Sequence, residues 1–184
     1  MLVLASASPA RAQLLRDARF EFIVDVSAAH ELQGRGRTLK EAAIENARRK
    51  GAVVARRHPT DWVLSADTMI MLEGRFYGKA RSFADGVETL LKFAGRTHDL
   101  ATGLVLRRGP RVIERVAISR VTMRPNDRAA IERVCRRRDP RRFAGSYAIQ
   151  ESNDPLVVRV EGSFSNVVGL PMEVVVPLLR RVLR

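Results

Sequence analysis

The sequence predicts a mixed α/β fold, in which one sheet of parallel and antiparallel strands is flanked by helices. Strand patterns alternate with helical patterns along the whole chain, as is typical of this class. Tight turns at Glu73-Gly74 and at residues 108–111 join neighbouring strand patterns, and such turns connect antiparallel strands. At 184 residues the chain is long enough for one domain with a substantial core, or for two small lobes that share one. We expect a single domain over residues 1–184.

The N-terminal unit is a short strand followed by a helix. Residues 2–5 are apolar, Ser8 is placed to cap the helix, and Pro9 fits the first helical position. A helix that begins directly after a strand presents free backbone N–H groups and is a natural anion site. Arg11 lies in the first turn, where a positive charge opposes the helix dipole unless an anion is bound there. An anion-binding loop and a plain capped helix with a solvated arginine both fit this pattern.

Apolar periodicity and capping residues define the remaining elements. Helix starts are indicated by a capping box at Thr38 and Glu41, by Ser82 and by Asn126. Pro177 falls inside the last helix and is expected to kink or split it. The predicted strands cover residues 21–26, 62–64, 69–72, 98–106, 112–123 and 156–160, and the predicted helices cover residues 39–56, 83–94, 127–136 and 171–184.

The stretch from residue 62 to residue 79 joins a carboxylate to a lysine through a hairpin. An apolar run leads to Asp67 and Thr68, a second apolar run follows, and the hairpin ends at Gly78-Lys79. We expect a strand, an acidic corner, a hairpin and a basic corner, which would hold an acid and an ammonium near one another. This arrangement suits a metal bound by the acid and a phosphate bound by the lysine. A surface hairpin with a solvated Asp and Lys fits the pattern equally well.

Two further residues have more than one interpretation on the sequence alone. Lys50 lies near the helix face of Ala43 and Ala47, where a lysine either extends to water or is held against an anion. Residues 27–37 form a polar loop that carries His30 and Glu31, and side chains in such a loop are usually solvated.

The chain is strongly basic, with a formal charge of +13, and only four of its 33 basic residues are lysines. A basic surface favours polyanions such as nucleic acids, anionic membranes or phosphorylated metabolites. The arginines are spread along the whole chain, and the cluster at residues 136–138 contains no aromatic residue, so a nucleic-acid surface is not favoured.

Membrane insertion and secretion are not indicated by the sequence. No stretch reaches the roughly 20 apolar residues that span a bilayer. The N-terminus has no basic region before its short apolar run, which favours a first strand over a signal peptide. Cys135 is the single cysteine, so no internal disulfide can form, and a cytoplasmic protein is the simplest expectation.

Seven short motifs, taken together and in order, resemble the Maf family of nucleoside triphosphate pyrophosphatases, once called septum formation proteins. The resemblance implies an elongated mixed α/β structure of two lobes around a deep cleft, similar to the inosine triphosphate pyrophosphatases. It implies hydrolysis of a nucleoside triphosphate to the monophosphate and pyrophosphate with a divalent metal, Mg²⁺ or Mn²⁺, and it suggests a homodimer. The motifs are LASASPAR at 4–11, SADT at 65–68, GK at 78–79, GRTH at 95–98, TG at 102–103, AGSYAIQ at 144–150 and VVGLP at 167–171.

The resemblance also implies a role for individual residues. These roles agree with the chemistry, because a triphosphate needs cations around it, and Mg²⁺ takes one or two carboxylates together with waters and substrate oxygens. The implied catalytic residues are Glu31, Lys50, Asp67 and Lys79, the implied metal ligands are Glu31 and Asp67, and the implied substrate-binding residues are Ser8, Arg11, Thr68 and Gln150.

Two segments indicate a branch of the family. Residues 66–68 (ADT) and 149–150 (IQ) resemble the branch that acts on dTTP and UTP more than the branch that acts on 7-methyl-GTP. Two other classes of function remain as alternatives: a nucleotide-binding regulator of cell division with little hydrolysis, and a nucleic-acid binding protein. The departures from the family pattern that bear on base preference and turnover are Ala10, Ala80, Phe143 and Glu151.

Overall fold

The computed structural model describes residues 1–34, 36–149 and 154–183. Its centre is an open seven-stranded sheet in the order β2-β1-β3-β5-β6-β7, with β4 paired to β3 outside this path. Strands β2, β1 and β3 are parallel, and the other described pairs are antiparallel. The predicted mixed α/β sheet is therefore confirmed. The strands are β1 (Leu2–Leu4), β2 (Ile23–Val24), β3 (Trp62–Leu72), β4 (Arg75–Tyr77), β5 (Thr97–Arg108), β6 (Arg111–Met123) and β7 (Val157–Gly162).

Three of the helices that flank the sheet, α1, α2 and α3, begin at the caps that the sequence indicates. Ser8, Thr38 and Ser82 each accept a hydrogen bond from a backbone N–H group of the first turn, and Thr38 forms the predicted capping box with Glu41. In the described part of the chain, no helix has both the length and the apolar character needed to cross a membrane. The helices are α1 (Pro9–Asp17), α2 (Leu39–Ala55), α3 (Phe83–Phe93), α4 (Arg128–Arg137), α5 (Phe164–Val168) and α6 (Met172–Val182).

Several local predictions are wrong. Asp127, not Asn126, caps α4, because its carboxylate accepts a hydrogen bond from the backbone N–H of Ala130. The strand predicted over residues 21–26 is reduced to β2, because its partner β1 is only three residues long. Helix α6 is not split at Pro177, because the helix runs from Met172 to Val182 through this residue, which removes a single backbone donor; a kink at Pro177 stays a prediction. The sequence does not predict helix α5.

β3 is one uninterrupted strand of 11 residues, so the predicted acidic corner at Asp67 is wrong. Pairing with β5 continues from Val63 to Met71 and includes the pair of Asp67 with Gly103. The cross-strand hydrogen bonds keep the chain extended where a polar pair had suggested a bend. The predicted hairpin is confirmed: Leu72 pairs with Arg75 across a two-residue turn.

Two hydrophobic clusters lie at opposite ends of β3 and β5. The first half of β3 packs against α1 and α6, and the second half packs against α3 and α4, so Asp67 lies between the two clusters. The first cluster includes Leu2, Leu4, Leu15, Trp62, Leu64, Leu104, Leu106, Leu170 and Leu179, and the second includes Ile70, Leu72, Leu90, Phe93, Leu100, Ile131 and Tyr147.

One edge of β3 is open at its centre. On this side β1 pairs with Trp62 to Leu64, and β4 pairs with Ile70 to Leu72. Between them, no strand in the described parts of the chain pairs with residues 65–69 on this edge. The main chain around Asp67 is therefore accessible to side chains from other segments.

Candidate active site

Asp67 is a buried carboxylate at the centre of β3, with 5% of the residue exposed. Its Oδ1 lies 2.5 Å from Nζ of Lys50, and its Oδ2 accepts a hydrogen bond of 2.9 Å from Nδ2 of Asn46. Both partners belong to α2 and are four residues apart, so they lie on the same helix face. One ammonium and one amide therefore hold the carboxylate from the same side of the sheet.

Gly103 allows α2 to lie close to Asp67. It pairs with Asp67 across β5 and β3. A Cβ atom at this position would lie 2.4 Å from the carbonyl oxygen of Ala43 in α2, so a side chain here would push the helix away. The Thr-Gly motif is thus explained by the contact between a helix backbone and a strand.

Glu31 joins the same cluster from the loop between β2 and α2. Its Oε1 lies 2.6 Å from Nζ of Lys50, so one ammonium contacts two carboxylates. Burial raises the pKa of Glu31, but the hydrogen bond and charge of Lys50, with the charges of Arg11 and Lys79, outweigh it and hold the pKa below its ordinary value. The loop pattern alone suggested a solvated Glu31, and the ion pair with Lys50 shows that this interpretation is incomplete.

Asn46 is a residue of this cluster that the sequence did not reveal as functional. Its Oδ1 accepts a hydrogen bond of 2.7 Å from the backbone N–H of Leu32, and its Nδ2 donates to the Leu32 carbonyl at 3.1 Å. The position of Asn46 one helical turn before Lys50 is the signal that could have identified it.

Arg11 is tied to the protein at four points on the other face of β3. Its Nε donates to the carbonyl of Gly169 at 2.8 Å, and its Nη2 donates to Oγ1 of Thr68 at 3.0 Å. Its Nη1 donates to the Ala66 carbonyl at 2.8 Å and to Oγ of Ser6 at 3.1 Å. The side chain thus crosses the open edge of β3 and connects the N-terminal loop to the segment that follows α5.

The four bonds of Arg11 use four of the five N–H groups of a guanidinium. The residue is only 8% exposed, so the interpretation as a solvated arginine is wrong. Burial lowers the pKa of Arg11, and the negative charges of Asp67 and Glu31 act in the opposite direction. Arg11 therefore carries a buried positive charge near the two carboxylates while its donors serve mainly to join segments of the chain.

Ser8 and Thr68 lie next to Arg11. The half-buried Ser8 caps α1, where its Oγ accepts a hydrogen bond of 3.4 Å from the backbone N–H of Arg11. The hydroxyl of Thr68, which accepts from Arg11, also shares a hydrogen bond of 2.8 Å with the hydroxyl of Thr102. The Thr68 hydroxyl is therefore oriented by protein groups on two sides.

The other two predicted residues stand apart from these contacts. Lys79 is exposed just after β4, and its backbone forms an isolated antiparallel bridge with Ala144. Its charge is near enough to Glu31 to lower the pKa of that carboxyl. Gln150 and the neighbouring Glu151 lie outside the described residues.

The side chains of successive strand residues point to opposite faces of a sheet, and this alternation divides the predicted site. The carboxylates and Lys50 meet on the α2 face, and the residues around Arg11 meet on the other face, with the open edge of β3 between them. The first group consists of Glu31, Lys50 and Asp67, and the second consists of Ser8, Arg11 and Thr68.

The first group fits a divalent cation of the Mg²⁺ type. Among the described residues there is no cluster of three or more His, Cys, Asp or Glu side chains that could enclose a metal. Two carboxylates suffice for Mg²⁺ when waters and substrate oxygens complete its shell. Glu31 and Asp67 converge on a single ammonium, so they already create a point that favours positive charge.

The chain matches the model of one protein family, described as Maf-like protein, over residues 1–182. The fold agrees with this match, because four of the quoted motifs meet at the centre of β3, through Arg11, Asp67 and Thr68, Gly103, and Gly169. The chain therefore belongs to the Maf family.

Curated relatives match it over nearly their whole length. It is 40% identical over 181 residues to a protein named dTTP/UTP pyrophosphatase from Myxococcus xanthus, with 98% of this chain and 92% of the relative covered. Relatives with the same name occur in Pyrococcus furiosus, at 34% identity with 97% and 93% coverage, and in Gloeobacter violaceus, at 37% identity with 97% and 94% coverage.

Proposed function

We propose that this protein is a nucleoside triphosphate pyrophosphatase that converts dTTP or UTP to the monophosphate and pyrophosphate. The observation that carries the proposal is the convergence of Glu31, Lys50 and Asp67 beside the open edge of β3. Relatives named dTTP/UTP pyrophosphatase that align over nearly the whole chain support the choice of substrate.

The chain supplies positive charge for a triphosphate from several sides. Lys50 and the exposed Lys79 lie around the carboxylates, and the N-terminus of α1 presents backbone N–H groups next to Ser8. Arg11 adds a buried charge, and we assign to it mainly the positioning of Thr68 and the N-terminal loop. These groups would bind the phosphates and stabilise the charge that develops on them during hydrolysis.

Hydrolysis transfers the oxygen of water to phosphorus, breaks the bond between the α- and β-phosphates, and releases pyrophosphate and a proton. We assign the orientation of the water and the acceptance of its proton to Asp67, whose carboxylate is held by Lys50 and Asn46. Glu31 and Asp67 would hold the divalent metal, Mg²⁺ or Mn²⁺, which when bound neutralises phosphate charge and acidifies a coordinated water.

The proposal also covers the domain organisation, the position of the nucleotide, the cellular compartment and the oligomeric state. We propose that residues 1–184 act as one domain, that the nucleotide binds between the two hydrophobic clusters, and that the protein works in the cytoplasm as a homodimer. Thr68 and Gln150 would contact the nucleotide, and the substitutions at Ala10 and Glu151 would adjust the base preference.

The test is pyrophosphate release from a panel of nucleoside triphosphates, with Mg²⁺, with Mn²⁺ and with EDTA. We expect metal-dependent release from dTTP and UTP, and little release from 7-methyl-GTP. Pyrophosphate release only from a nucleotide other than dTTP and UTP would overturn the substrate assignment but would still support the proposed hydrolysis reaction. Tight nucleotide binding without release from any of them would overturn the enzymatic proposal and favour a nucleotide-binding regulator.

The site assignment is tested by two variants and a matched control. Asp67→Asn and Lys79→Ala should each lower turnover at least about tenfold, because one removes the water-orienting carboxylate and the other removes a phosphate-binding charge. Lys92→Ala removes an exposed lysine in the last turn of α3, away from the site, and should retain wild-type turnover. Wild-type turnover in both site variants, with circular dichroism showing native folds, would contradict the assignment.

A further inference from the structure

Asn46 connects two parts of the site, and within the described residues no backbone pairing joins these two parts. The residue is 1% exposed, and its amide lies between β3 and the loop that carries Glu31. The separation in sequence is 14 residues to Leu32 and 21 residues to Asp67. A single side chain thus bridges a strand residue and a loop residue from the helix between them.

The orientation of the amide is fixed by its partners. Its Oδ1 accepts from the backbone N–H of Leu32, and its Nδ2 has two hydrogens, which serve the Leu32 carbonyl and Oδ2 of Asp67. Nδ2 also lies 3.7 Å from Sδ of Met69. A flipped amide would place oxygen against a carboxylate oxygen and nitrogen against an N–H group, so only one orientation satisfies all the groups.

The bond to Leu32 determines where Glu31 can be. Leu32 follows Glu31 directly, and both its backbone N–H and its C=O are held by the same amide. Such a two-point contact fixes the path of the loop as a strand partner would. The carboxylate of Glu31 then reaches Lys50, which also contacts Asp67.

We propose that Asn46 is a positioning residue that sets the separation of the Glu31 and Asp67 carboxylates and thereby the affinity of the site for a divalent cation. The inference builds on the proposed function, because that function assigns the cation to these two carboxylates. Asn46 touches neither the nucleotide nor the cation in this scheme. It acts through Asp67 on one side and through the backbone next to Glu31 on the other.

The proposal can be tested with the substitution Asn46→Leu and with Ser65→Ala as its matched control. Asn46→Leu keeps a side chain of similar size and removes all three hydrogen bonds of the amide to Leu32 and Asp67. Ser65→Ala removes a different buried hydrogen bond between β3 and α2, from Oγ to the carbonyl of Ala47 at 2.8 Å. The control therefore reproduces a loss of stability at the same interface without affecting either carboxylate.

Two measurements on the intact protein test the proposal, and neither depends on turnover. Amide hydrogen exchange by NMR should show Leu32 exchanging at least about tenfold faster in Asn46→Leu, because its acceptor is gone. Calorimetric titration with Mn²⁺ alone should show a dissociation constant at least about tenfold higher, as is usual when a partner of a metal ligand is removed. Ser65→Ala should match the wild type in both measurements.

Several results would overturn the inference. These are an unchanged exchange rate at Leu32, an equal Mn²⁺ affinity in Asn46→Leu and the wild type (including binding by neither), or an equal loss of affinity in Ser65→Ala. If Asn46→Leu does not fold, Asn46→Ser replaces it, because the shorter hydroxyl side chain does not span both partners. If the Mn²⁺ affinity of the protein depends on Asn46 but the wild type releases no pyrophosphate, the proposed function is refuted and the positioning role of Asn46 stands.

Discussion

His98 makes the stability of the protein depend on pH. The residue is 2% exposed in the second hydrophobic cluster, and its Nε2 shares a hydrogen bond of 2.7 Å with the hydroxyl of Tyr147. Its ring stacks on Phe93 with the centroids 4.5 Å apart, and its Nδ1 has no hydrogen-bond partner among the described residues. Burial lowers the pKa of His98 from 6.5 to about 4, and the charge of Asp99 offsets only part of this effect.

The lowered pKa determines the sign of the effect. Between the two pKa values the unfolded chain binds a proton that the folded chain excludes, so acidification favours unfolding. From pKa values of 6.5 and about 4, the free energy of unfolding falls by about 2 kcal/mol between about pH 7.5 and about pH 5. The loss approaches about 3 kcal/mol below the folded pKa and is absent above about pH 7.

Urea unfolding at these two pH values measures the contribution of His98. His98→Gln retains a polar partner for Tyr147 but does not titrate, so it should lose about 2 kcal/mol less than the wild type on acidification. His30→Gln, at an exposed loop position, should follow the wild type. Carboxylates contribute equally in all three proteins. An equal pH dependence in His98→Gln and the wild type would refute the argument that burial excludes the proton.

Three further predictions concern the contacts that hold the site in place. Gly103→Ala should displace α2 by about 1 Å, destabilise the protein by about 1–3 kcal/mol in urea unfolding, and lower turnover markedly, because Lys50 moves with the helix. Arg11→Lys should reduce the free energy of unfolding by at least about 2 kcal/mol, because a lysine cannot reach all four acceptors and leaves buried oxygens unpaired. Thr38→Ala removes the α2 cap and should lower the free energy of unfolding by about 1 kcal/mol, while turnover at low temperature is preserved. A loss of turnover without a lower free energy of unfolding would contradict this prediction.

The sequence predicts best the features that depend on neighbouring residues. The caps of α1 and α2 and the hairpin between β3 and β4 follow from side chains within a few positions, and all are observed. The sequence does not predict the straight course of β3 through Asp67, because its partner Gly103 lies 36 residues further along the chain. Local polarity suggested a corner, and cross-strand hydrogen bonds kept the chain straight.

The arrangement of the candidate site depends on contacts between distant segments. The bond from Arg11 to the carbonyl of Gly169 spans 158 residues, and no local pattern encodes it. The sequence does not indicate a role for Asn46, because its partners lie in a loop and in a strand and only its position four residues before Lys50 connects it to the site. The resemblance to a family supplied Glu31 and Lys50, whose ion pair neither the loop pattern nor the helix pattern predicted.

The position of Asp67 between two hydrophobic clusters has a consequence for how the protein loses its site on heating. Both clusters pack against the same two long strands, β3 and β5. Unfolding of either cluster therefore removes packing from β3 on one side of Asp67. The centre of β3 consequently belongs to the cooperative unit of each half of the molecule. Thermal inactivation should therefore coincide with the main calorimetric transition, since the carboxylate of Asp67 lies in a strand that both clusters stabilise.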